Sequence, residues 1–192
     1  MKRVFILLFT LPVLAGCVKK AAENNTPLPE LGISVQLPPG MEAVSAEDLQ
    51  QAQDASAEFP PVEPFADFPV REFHDPSINA VLIISKLSFT GPESAGLDAV
   101  SVMENYRANL AAYYGVDLIA ANELIQGDFK LTIMPMVFEP EGAALSLTKV
   151  LYYAYPQRYF VFDLYFNSGT NTISPEKAGE FEKLFLSVKN LE

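Results

Sequence analysis

From Ile33 onward the chain shifts back and forth between strand-like and helix-like hydrophobic spacing, and the order of those shifts predicts a fold. In "GISVQLPPGM", Ile33, Val35 and Leu37 alternate with polar residues, as in a half-buried strand closed by Pro38, Pro39 and Gly40. "INAVLIISKLSFTG" is dense in β-branched and apolar residues, the pattern of a strand covered on both faces for part of its length. The "DPSI" before it reads as a turn. Next, Leu97, Ala99, Met103, Tyr106, Leu110 and Tyr113 recur three or four apart, which predicts a helix near Ser94–Tyr114 with Gly115 at its left-handed cap. Its Met and Tyr stripe is read as core. "VDLIAANELIQG" leads back toward the sheet and is expected to hold one short strand.

Gly127 to Asn167 carries the clearest pattern. "DFKLTIMPMVF", "LSLTKVLYYAY" and "YFVFDLYF" are three strands joined by "EPEG" and "PQR" turns, an antiparallel meander. In the third, Phe160, Phe162, Leu164 and Phe166 share one face and Tyr159, Val161, Asp163 and Tyr165 the other. The first face is core. The second is amphipathic, so Tyr159, Asp163 and Tyr165 are the candidate partner contacts. Pro135 lacks a ladder donor and puts its strand at an edge or a bulge. The chain closes on a helix capped by Ser174, with Pro175 at its first position, Glu176 in the first turn, and an apolar stripe of Ala178, Phe181, Leu184, Phe185 and Val188. The expected class is α+β, a mainly antiparallel sheet of about six strands covered by two main helices.

Composition changes abruptly between Met41 and Pro69, which holds seven carboxylates and neither Lys nor Arg. Ser45 with Asp48 three residues on marks a short helix start. "FPPVEPFADFP" then suits an extended surface loop whose Phe residues dock on the body. The carboxylates lack the spacing that gathers ligands around calcium, so the run is read as a solvated acidic face and no metal is expected.

The N-terminus changes the picture most. Lys2 and Arg3 precede "VFILLFTLPVLA", an apolar run too short to span a bilayer and typical of an export signal. It ends in "LAGC", Leu14 to Cys17, and Cys17 is the only cysteine. This resembles the bacterial lipobox. The resemblance implies cleavage before Cys17, diacylglycerol on its thiol, and stable attachment to a membrane through the two acyl chains, with a third often added on the new amine. A flexible tether is expected from Cys17 to residue 30. Val18 stands where an Asp retains enterobacterial lipoproteins in the inner membrane, so in a Gram-negative cell the outer membrane, facing the periplasm, is favoured.

The net charge is −11, and loss of residues 1–16 removes two cations and no carboxylate. Such an acidic body argues against nucleic acid and against electrostatic attachment to anionic lipid. The membrane partner is reached through the lipid on Cys17. The sole histidine, His74, adjoins Asp75, but neighbours in a strand point to opposite faces, so a hairpin corner is preferred to a general base. No G-x-S-x-G, H-E-x-x-H or phosphate loop occurs. No catalytic residue and no cofactor are expected.

Taken together, "GISVQLPPGM", the meander "FKLTIMPMVF", "LSLTKVLYYAY", "YFVFDLYF" and the closing "FEKLFLSVKNL" resemble the fold shared by PsbP, the Ran-binding Mog proteins and the bacterial lipoprotein DcrB. The resemblance spans residues 31–192 as a single domain, with 41–69 an acidic, proline-rich insertion. It implies an α/β/α sandwich and a non-enzymatic binding or assembly module with an envelope protein partner. Two alternatives stand beside it, an envelope hydrolase built on scattered Ser, Asp and Glu, and a carrier of a small hydrophobic ligand.

Overall fold

Ten strands and two long helices are formed by the described residues, 25–45, 47–50, 65–89, 99–114, 122–138, 145–154, 158–167 and 174–191, in a computed structural model of the protein. In chain order these are β1 Asn25–Leu28, β2 Ile33–Gln36, β3 Glu42–Ala43, β4 Phe65–Asp75, β5 Ala80–Phe89, α1 Ala99–Tyr114, β6 Asn122–Gln126, β7 Phe129–Phe138, β8 Leu145–Ala154, β9 Arg158–Asn167, α2 Pro175–Leu186 and β10 Lys189–Asn190. A further helical turn covers residues 47–50. The class is α+β, as the hydrophobic spacing predicts. The strands form two antiparallel sheets rather than one of about six strands. The large sheet has seven strands in the order β3-β4-β5-β9-β8-β7-β6, and the small one three, β1-β2-β10.

The meander forms as read, with β8 paired to β7 along Phe129↔Ala154 to Phe138↔Leu145 and to β9 along Leu145↔Asn167 to Ala154↔Arg158. β5 closes against the far side of β9. Pro135 lies past Ile133, where the β6 pairing stops, so its missing N–H falls on a stretch that β6 does not reach.

One face of the large sheet is closed by the small sheet and α2. Leu28, Ile33 and Val35 from the small sheet and Phe181, Leu184 and Phe185 from α2 pack on Leu82, Ile84, Val150, Phe160 and Phe162. The expected helix start is present: Ser174 accepts from the Lys177 amide at 3.2 Å, with Pro175 following. At the other end Ser187 Oγ donates to the Leu184 carbonyl at 2.7 Å and accepts from Gln36 N at 2.8 Å, fastening α2 to β2. α1 covers the opposite face through Val102, Tyr106 and Leu110, four apart, over Leu87, Met134, Leu151 and Val161.

Two boundaries differ from the expectation. Residues 25–28, assigned to the flexible tether, form a strand whose Leu28 is buried in the core. A single apolar side chain among Asn, Thr and Pro carries no period, so β1 is invisible until β2 is there to pair with it. Likewise Phe65–Pro69, read as the end of a surface loop, are the first residues of β4 and pair with β5, with a bulge between Pro69 and Arg71 beside the one proline of the strand. Residues 51–64, the middle of the expected insertion, lie outside the described residues.

Candidate functional site

The face of β9 read as open to a partner is closed. Register sets Asp163 opposite Lys149, and Lys149 Nζ reaches Asp163 Oδ2 at 2.7 Å. Both are buried, Asp163 only 6% exposed. The α1 residue Tyr106 covers the ammonium, its ring centroid 5.7 Å from Nζ. Tyr159 is 7% exposed, with its ring centroid 5.1 Å from that of Tyr153. Tyr165 is half-buried. Of the three expected contact residues, Tyr159 and Asp163 are therefore interior, and the polar positions that look amphipathic in the sequence are matched inside the protein. A buried charge is tolerable when paired, and the partner, fourteen residues upstream on another strand, is set by the hairpin register.

A second polar cluster joins three segments. Asp75 at the end of β4 accepts from Ser77 N at 3.0 Å and Ser77 Oγ at 2.6 Å through Oδ1, which shapes the β4–β5 turn. Its Oδ2 lies 2.9 Å from Lys177 Nζ. The same ammonium is 3.1 Å from Glu180 Oε2 and donates to the Pro39 carbonyl at 2.7 Å. Gly40, at φ +91°, is required beside it: a Cβ there would stand 3.1 Å from Asp75 Oδ2 in a conformation that side chains avoid. Burial works against the charged carboxylate, yet the hydrogen bonds from Ser77 and Lys177 outweigh it and hold Asp75 below the ordinary carboxylate range. Burial likewise opposes the Lys177 charge, and the Asp75 and Glu180 partners overcome it, raising that amine.

His74 sits on β4 between Glu42 and Val81 in register, half-buried, on the face opposite Asp75, as strand alternation requires. Nearby, burial raises the Glu72 carboxyl, an effect His74 reduces and Asp48 adds to. Ser45 caps the short helical turn as expected, accepting from Asp48 N at 3.1 Å. Among the described residues no three His, Cys, Asp or Glu converge as metal ligands.

What the sequence reading missed is the apolar surface at the end of the large sheet. Ile125 is 84% and Leu124 41% exposed, adjacent on β6 and so on opposite faces; Phe68 and Leu191 are the other exposed large apolar residues described. The signal lies in "NELIQ", two adjacent aliphatics in a short strand, which put one apolar side chain on each face.

The described molecule is a mostly β, α+β protein with both faces of its large sheet covered. No described helix is long and apolar enough to cross a membrane. Cys17 lies outside the described residues. No protein-family model matches the chain, and no curated protein matches it. Among solved structures it is similar to a Bacteroides thetaiotaomicron protein (15% identity, TM-score 0.47), covering 84% of this chain but only 46% of that one. It is also similar to LpqN of Mycobacterium tuberculosis, a protein involved in cell envelope biogenesis (11% identity, TM-score 0.47), with 89% of this chain and 86% of LpqN covered.

Proposed function

We propose that this protein is a lipid-anchored, non-enzymatic binding or assembly module of the bacterial cell envelope, carrying a domain of the PsbP, Mog and DcrB type. The observation that carries the reading is the "LAGC" box at Leu14–Cys17 behind a basic start and a short apolar run. The position of β1 supports it: eight residue steps separate Cys17 from Asn25, a reach of at most about 28 Å. An anchored body so tethered works within about its own diameter of the membrane, on envelope partners there. The interior Lys149–Asp163 pair and the turn-shaping Asp75 act in the fold, which leaves the binding reading ahead of a hydrolase.

The test is mass spectrometry of the N-terminal peptide from membranes, with fractionation of a Cys17→Ser variant. Expected are a diacylglyceryl-modified Cys17 at the new N-terminus and transfer of the variant out of the membrane fraction. A new N-terminus at Cys17 with an unmodified thiol, or no cleavage before Cys17 in the natural chain, rejects the anchor. Screening the purified protein for hydrolysis is expected to find no turnover; turnover abolished by one carboxylate substitution would reverse the assignment to a non-enzyme.

A further inference from the structure

The outer edge of β6 is built unlike a guarded edge. Sheet edges in soluble proteins are blunted by unpaired charges, prolines or bulges, because their free N–H and C=O groups template further pairing. Among the described residues β6 ends the seven-stranded sheet, and Glu123 to Gln126 are all exposed. The strand carries one charge, Glu123, and that carboxylate is turned onto its own neighbour, 3.2 Å from Lys130 Nζ on β7. What remains at the rim is Leu124 on one face and Ile125 on the other.

We propose that this edge pairs antiparallel with the same strand of a second copy, about a two-fold axis through Leu124. A two-fold perpendicular to the sheet keeps like faces together. It sets Leu124 against Leu124 of the second copy, Glu123 against Ile125 and residue 122 against 126, so each aliphatic gains a cross-strand neighbour on its own face. The charge pattern selects this occupant. The net charge of −11 would favour a basic segment, but the one carboxylate of the strand already faces Lys130, so a second copy brings no unpaired like charge of its own to the seam. Five residues bury less than the roughly 1,200 Å² of a stable interface, so the pairing is weak and reversible.

Cysteine trapping tests it in the full chain carrying Cys17→Ser, so that an engineered thiol stands alone. Leu124→Cys places two thiols directly opposite across the axis, within disulfide reach, whereas Gln126→Cys places them two residues to either side of it, beyond that reach. On oxidation, the Leu124→Cys chain is expected to accumulate a disulfide-linked dimer at concentrations where the Gln126→Cys chain stays monomeric. Adding Ile125→Asp, which opposes two carboxylates across the seam, is expected to reduce the Leu124→Cys yield to the Gln126→Cys level. Equal yields at the two positions, or no dimer up to about millimolar protein, where even weak specific pairs form, would overturn the proposal. Trapping of Leu124→Cys in cell envelopes to a protein of different mass would overturn it too, assigning the edge to a foreign strand. Since Cys17 is replaced throughout, the outcome is independent of lipidation.

Discussion

The two faces of the seven-stranded sheet are closed by different means. Phe160, Phe162 and Leu164 point to an apolar face sealed by the small sheet and α2. Their neighbours Val161 and Asp163 point to a face sealed by α1, where one ion pair lies in the sheet. The first face is apolar except for the Tyr152 hydroxyl, which is satisfied by the Phe185 carbonyl. The second accepts one register, because a slip of one residue would carry Lys149 into the aromatic cluster on the first face.

The largest expected effect breaks that asymmetry. Asp163→Ala leaves Lys149 buried without its counter-charge and is expected to cost about 3–5 kcal/mol in urea unfolding, whereas Lys149→Met with Asp163→Leu restores most of it. An Asp163→Ala loss below about 1 kcal/mol, the range of exposed pairs, would mean that water reaches the pair and that the two faces close alike. A smaller effect sharpens the picture of the first face. Tyr152, fully buried and with its hydroxyl pushed well above its usual pKa by that burial, donates to the Phe185 carbonyl at 2.9 Å. That carbonyl is one of the terminal acceptors that α2 cannot satisfy itself, so Tyr152→Phe is expected to cost about 1–3 kcal/mol.

The smallest effect is one of pH, on the Asp75–Lys177 cluster at the rim. Asp75 is held below its usual pKa, so its contribution is present above the unfolded value and is lost as pH falls through the folded one. Lys177 is raised, so its share is complete below the unfolded lysine value and fades as pH climbs through the folded one. Stability profiles of the protein and of Asp75→Asn should therefore diverge at neutral pH and converge in acid. Profiles that stay parallel below the carboxylate range would remove the cluster from the account of stability.

How much of this was legible depended on whether the decisive contact is local. The meander, the Ser174 cap and the β4–β5 turn rest on residues a few positions apart, and the hydrophobic period together with Ser, Pro and Asp chemistry displays them. β1, β3 and β10 are two to four residues long and become strands only because a distant partner pairs with them, so no window along the chain contains their cause. The alternation in β9 correctly separated its two faces. It could not say that Asp163 is matched by Lys149, since a charge facing a partner inside the protein and one facing water look the same in a single strand.

The small sheet also sets a schedule. Its centre, β2, pairs with β1 on one side and with β10, the last described strand, on the other, and Gln36 N is bonded to Ser187 Oγ 151 residues away. Closing so long a loop is slow, and the β2 edge is not rewarded until Lys189 and Asn190 are at hand. A chain emerging N-terminus first thus cannot bury Ile33 and Val35 in their final partnership until Lys189 and Asn190 arrive. β10 is the clasp that finishes the small sheet, and without it β2 keeps one edge unpaired while its apolar face still rests on the large sheet.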